Sequence, residues 1–210
     1  MTDRKSVKDV ICVGISGASG PIIGIRLVEE LLKTGRGVHC AVSATAKRII
    51  EYELLEKDEK FVDLRALFEK RKFLFDNPLL NEYENDDFFA PMASGSTAFS
   101  AAVVAPCSMK TLSCIVNGHG DSLIARMCDV AIKEKRKCVI VPRETPLSVI
   151  HLGNLLKAAQ FGADILAPVP GFYTRPKTAD DIIDFIVGKI LNLLHIPHDL
   201  FESWDRLRSQ

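Results

Sequence analysis

The chain has 210 residues, 47% hydrophobic and 26% charged, an ordinary composition for a globular protein with a full core. Its 27 Lys and Arg balance 27 Asp and Glu to a formal net charge of zero, without the basic excess of a nucleic-acid-binding protein. Glycines and a serine interrupt the first apolar run at 14–20, and no run reaches membrane-spanning length, so the expected compartment is the cytoplasm and no membrane partner is expected.

Residues 9–15, rich in Val and Ile, read as a buried strand. A helix is expected at 21–34, with Pro21 in its first position, where a missing N–H is no loss, and Gly35 past its end. A strand at 37–42 and a helix at 43–55 follow, with Ser43 as N-cap. Residues 56–88 are dense in Lys and Glu. They read as a variable insertion with a solvated charged face and a short exposed helix at 63–71. Alternation resumes with a strand at 101–105, helices at 108–116 and 122–136, and a strand at 137–141. A helix at 147–161 ended by Gly162, a short strand at 163–167, a Pro/Gly-rich loop at 168–177 and an amphipathic helix at 179–194 complete the pattern, with a tail from 196. Helices separating short apolar strands predict an α/β fold. The expected form is a three-layer, Rossmann-like (flavodoxin-like) parallel sheet with helices on both faces, residues 1–210 making a single domain. The six cysteines, with no CxxC spacing, read as reduced thiols, and zinc is not expected.

Three loops between a strand and a helix draw attention. In the first, GISGASG at 14–20, glycines let the backbone approach an anion, the helix start offers free N–H groups, and Ser16 and Ser19 add hydroxyls. The spacing is GxxGxxG rather than GxGxxG, and Val42-Ser43-Ala44-Thr45 carries no ribose-binding acid. Both features argue against NAD and permit a ribityl or phosphate contact; a turn without ligand is the alternative. In the second loop, APCSMKT at 105–111, Ser108 and Thr111 are donors for a phosphate or flavin edge, or simply a helix cap. Cys107 lacks an identifiable base and reads as inert. In the third loop, PRETPLS at 142–148, Arg143 is a fixed cation for phosphate and Glu144 a proton carrier, or the two form a surface ion pair.

Arg126 and Lys133 lie seven apart on one helix face, and Lys189 sits on the last helix; a solvated face explains such cations equally well. Asp180, Asp181 and Asp184 spell the DDxxD of metal-diphosphate sites, yet Thr178 and an acidic first turn also describe a helix cap. His151 reads as structural. Tyr173, in the loop 171–176, offers a hydroxyl for phosphate or a ring for packing.

GISGASG at 14–20, ASGS at 93–96, APCSMKTL at 105–112, PRETPLS at 142–148 and GFYTRP at 171–176 together resemble the flavin prenyltransferase (UbiX-like) family, once described as aromatic-acid decarboxylases. The resemblance implies a dodecamer with each active site between subunits. It implies transfer of a dimethylallyl group from dimethylallyl monophosphate to reduced FMN, at N5 and then C6, without metal. The product, prenylated FMN, would serve a partner decarboxylase. By the same resemblance, Gly17, Ala18, Ser19, Ser43, Ser108, Met109, Lys110, Thr111 and Arg143 hold FMN. Lys133, Arg143, Tyr173 and Lys189 hold the prenyl phosphate, with Arg126 nearby. Ser19 and Glu144 shuttle protons, Lys133 joins them as a catalytic group, and Glu53 and Trp204 line the site. Two alternatives stand beside this reading. One is a flavin-dependent cysteinyl decarboxylase, whose PASANT-type stretch and loop asparagine are absent at 93–98 and 106–112. The other is a non-catalytic flavin carrier or accessory subunit of a decarboxylase.

Overall fold

The computed structural model describes residues 8–75, 77–202 and 204. Six parallel strands form one sheet: β1 (Lys8–Ile15), β2 (Arg36–Val42), β3 (Leu80–Glu84), β4 (Ala101–Cys107), β5 (Lys137–Pro142) and β6 (Asp164–Ile165), in the order β3-β2-β1-β4-β5-β6. Among the described residues, seven α-helices cover it: α1 (Ile22–Lys33), α2 (Ala44–Leu54), α3 (Leu64–Lys70), α4 (Met109–Val116), α5 (Leu123–Lys133), α6 (Val149–Gln160) and α7 (Ala179–Leu193).

The two-residue period of a strand divides the core between the faces. Ile11, Val13 and Ile15 of β1 pack with α1, α3 and α7, through Leu27, Leu31, Phe68, Ile186 and Ile190. Cys12 points the other way and packs with Leu112 of α4 and with Ile124 and Met127 of α5. The expected three-layer parallel architecture is the observed one. The strand order reverses between β1 and β4, and in such sheets the crevice outside the carboxyl ends at that point receives ligands. The first two motif loops follow these two strands.

Residues 56–88 depart from expectation. The helix expected to be exposed is α3, which buries Leu64, Leu67 and Phe68, with Phe68 edge-on to Phe73 at 5.3 Å and to Phe75 at 5.7 Å. The same region supplies the edge strand β3, absent from the sequence reading. It is five residues long, LNEYE, and only Leu80 is fully buried, so its alternation is faint among charged neighbours. At the other edge, the strand expected at 163–167 is only the two-residue β6.

Glu82 of β3 joins these two pieces, accepting the N–H of Leu64 at the start of α3 at 2.8 Å. Burial pushes its carboxyl up to about 7, helped by Asp63 and opposed by the Leu64 N–H. The folded chain therefore keeps a proton that an unfolded Glu, near 4.5, releases. The resulting stability is whole below that value and is lost as pH rises through 7. Glu82→Gln should match the parent at pH 4.5 and exceed it at pH 8.5 by about 2–3 kcal/mol, read by urea denaturation. An unchanged difference between the two pH values would remove Glu82 as the titrating group.

Candidate active site

The site begins with a joint between the loops after β1 and β4. Ser16, fully buried, donates its hydroxyl to the Pro106 carbonyl at 2.9 Å and accepts the Ser108 N–H at 2.8 Å. Its own N–H also reaches Pro106 O, at 3.2 Å. The Ser16 hydroxyl, expected to be available to a ligand, is thus fully engaged within the protein. Gly17 follows at a close approach: a Cβ there would lie 2.7 Å from Thr45 Cβ.

Around this joint three helices start with serine caps. Ser43 accepts from Ala46 N–H at 3.2 Å, Ser108 from Thr111 N–H at 3.2 Å, and Ser122 from Ala125 N–H at 3.3 Å. Ser108 also donates to Thr111 Oγ1 at 3.0 Å. All three capping serines line one cavity of about 330 Å³, with Gly17, Lys110 and Thr111. Converging helix N-termini and Lys110 offer an anion favourable partners here, with Asp121 the one carboxylate among the described residues of the lining. Thr45, from the segment after β2 read as open to a ribityl or phosphate contact, shares its wall with Asn85 and Asp121, which were not singled out from the sequence. Asn85 follows the unrecognised β3 and caps α5 from outside, its Oδ1 accepting Ile124 N–H at 3.2 Å and its carbonyl accepting Leu123 N–H at 2.7 Å. Recognition of β3 would have pointed to it.

The other expected residues fall into three groups. Near the pocket, Ala18 is buried and Ser19 half-buried, while Glu53 reaches back from α2 to accept the Gly20 N–H at 2.9 Å, beside Ser19. Met109 is half-buried and opens α4. Arg143 donates its N–H to the Cys107 carbonyl at 3.0 Å, which starts the third motif loop next to Ser108. Its side chain is half-buried; Glu144 beside it is exposed and accepts the N–H of Thr145 at 3.0 Å. Burial pushes the Cys107 thiol well up, in keeping with an inert role.

A second group gathers on α5 against the ASGS loop. Arg126 donates to the Ala93 carbonyl at 3.1 Å and to Asp129 at 2.6 Å, and Lys133 to Glu134 at 2.8 Å. Arg136 fixes the same loop through the carbonyls of Gly95 at 2.8 Å and Thr97 at 2.9 Å. The third group lies at the C-terminal side, where Tyr173 and Trp204 meet edge to face at 5.2 Å and Lys189 is exposed on α7. Among the described residues, the side-chain hydrogen bonds of Arg126 and Lys133 stay within the second group.

The aspartates at 180–184 serve the helix. Asp181 and Thr178 form a reciprocal capping box, and N–H donation from Lys177 and then Thr178 holds the Asp181 carboxyl below its usual range. Asp184 pairs with Arg26 of α1 at 2.7 Å. His151 closes a capping box with Ser148 at the start of α6, a structural role. Among the described residues, no three His, Cys, Asp or Glu side chains cluster to hold a metal ion, and no helix is long and apolar enough to cross a membrane.

Comparison with known proteins gives this geometry a family. A family model described as Flavoprotein matches residues 1–191. The flavin prenyltransferase UbiX of Methanocaldococcus jannaschii is 47% identical over 198 residues, 94% of this chain and 98% of its own. The crystal structure of AnUbiX (PadA1) in complex with FMN and dimethylallyl pyrophosphate superposes with a TM-score of 0.83 at 38% identity, covering 94% of this chain and 97% of that one. A dodecameric FMN-dependent UbiX-like decarboxylase from Escherichia coli O157:H7 follows at 0.82 and 36%, covering 93% and 98%. A family model over residues 1–191, near-half identity over almost the whole of both chains and the shared fold agree: the chain belongs to the flavin prenyltransferase family of flavoproteins.

Proposed function

We propose that this enzyme joins the dimethylallyl group of dimethylallyl monophosphate to reduced FMN, releasing phosphate and giving prenylated FMN to a partner decarboxylase. The observation that carries the reading is the pocket of three serine-capped helix starts, with the loop that carries Arg143 and Glu144 hydrogen-bonded to Cys107 next to Ser108. FMN fits these residues: helix-start N–H groups and hydroxyls line the pocket, Lys110 adds charge, and glycine at 17 lets that loop pack against Thr45 of the same wall. Gly17, Ala18, Ser19, Ser43, Ser108, Met109, Lys110, Thr111 and Arg143 would hold it. Reduced FMN would supply the nucleophilic N5 and C6 positions.

The remaining residues divide the work on the allyl donor. Lys133, Arg143, Tyr173 and Lys189, with Arg126 nearby, neutralise the departing phosphate, a task that donors of this kind perform for a monophosphate without a metal. Ser19 and Glu144 take and return protons, while Glu53 and Trp204 line the cleft. The cations of α5 and those beside Tyr173 belong to separate groups in one chain, which favours a site completed by neighbouring subunits. The exposed apolar side chains of α6, with Val149 86% and Ile150 74% exposed, favour the same conclusion. A dodecamer, as in the Escherichia coli relative, is the proposed assembly, working in the cytoplasm as a single domain.

Anaerobic incubation with reduced FMN and dimethylallyl monophosphate should yield a flavin heavier by one prenyl unit on mass spectrometry. A parallel reaction with the pyrophosphate identifies the preferred donor. Recovery of unmodified FMN alone from both would replace this proposal with the carrier reading.

A further inference from the structure

Beyond α7 the chain folds back across that helix. His195 turns the backbone at φ 55°, and Ile196 is buried. His198 then secures the return: its Nδ1 accepts the Leu200 N–H at 3.2 Å, which leaves Nε2–H to donate to Asn192 Oδ1 of α7, also 3.2 Å away. Phe201 settles over Gly188. A Cβ at position 188 would lie 2.5 Å from Phe201 Cε1 and 2.7 Å from His198 Cε1, so a larger residue cannot share that surface with both rings unless they shift.

From this notch a series of ring contacts leads outward. Phe201 packs on Phe185 with ring centroids 4.9 Å apart, Phe185 meets Tyr173 edge-on at 5.8 Å, and Tyr173 meets Trp204 edge-on at 5.2 Å. Tyr173 and Trp204 keep 39% and 55% of their surface exposed, so their placement depends on the rings beneath them.

We propose that Gly188 and Phe201 are positioning residues. The notch on α7 sets the register of residues 196–202 and thereby holds Tyr173 and Trp204 in one arrangement at the prenyl-phosphate end of the site. This rests on the assignment of Tyr173 and Trp204 to the donor. Rings ordered before the donor arrives spare it the entropy of ordering them.

Trp204 is the only tryptophan in the sequence, so tryptophan emission, excited at the red edge where tyrosine does not absorb, reports this segment alone. In the full-length protein carrying oxidised FMN, Phe201→Ala should red-shift the emission and increase acrylamide quenching. Calorimetric affinity for dimethylallyl monophosphate should fall about tenfold, with FMN affinity unchanged. Phe201→Leu, which refills most of the notch, should restore both signals, and Gly188→Ala should change them in the same direction as Phe201→Ala. Folded variants with parental quenching and parental donor affinity overturn the inference. If the parent itself binds no donor, the donor assignment fails, while the quenching comparison still decides whether the notch holds the segment.

Discussion

Ser16→Ala should lower stability by about 2–4 kcal/mol and weaken FMN binding, although its hydroxyl faces the protein. The side chain is fully buried and makes two hydrogen bonds, to the Pro106 carbonyl and from the Ser108 N–H. Alanine leaves the Ser108 N–H without this partner. Pro106 O keeps the Ser16 N–H at 3.2 Å, so the donor side carries most of the loss. Ser108 also caps α4 and lines the pocket, so its displacement reaches the anion site directly. Ser19→Ala, three residues on, removes a half-buried hydroxyl and should leave the unfolding free energy from urea denaturation within about 0.5 kcal/mol of the parent. Equal midpoints for the two variants would show that the Ser16 hydroxyl is no joint.

For Glu144→Gln the expectation is a kcat lower by about 10²–10⁴-fold, the range for loss of a positioned proton carrier. FMN affinity should stay within about threefold of the parent. The separation is built into the loop. Glutamine keeps an oxygen to accept the Thr145 N–H, now bonded to Glu144 Oε1 at 3.0 Å, so the turn after Arg143 is preserved while the carboxylate is lost. Single-turnover formation of the prenylated flavin, measured beside FMN titration, separates the two effects. A matched loss in rate and affinity would assign Glu144 a structural role.

The two serines of the GISGASG loop mark where sequence reasoning stops. Both are small hydroxyl residues in a glycine-rich turn, and the sequence alone treats them as equal donors. Ser16 finds its partners 90 and 92 residues away because β4 lies beside β1 in the sheet. Glu82 poses the same difficulty, since a glutamate in a charged stretch reads as solvated until β3 is recognised as a strand. By contrast, the caps at Ser43, Ser108 and Thr178 were legible, because an N-cap bonds to the third residue after it.

Strand and helix periodicity, the caps and the positions of the motif loops were therefore written in the sequence itself, because each depends on residues within a turn or two of one another. From them followed the parallel α/β architecture, while the resemblance to a flavin-using family rests on the residues of the five motifs themselves. The tertiary structure decided which hydroxyl is buried, which helix starts share a pocket, and that Arg126 of α5 is tied to the ASGS loop while Tyr173 packs on Trp204. Those outcomes depend on side chains far apart in the chain and adjacent only after the sheet has formed, so no local pattern encodes them.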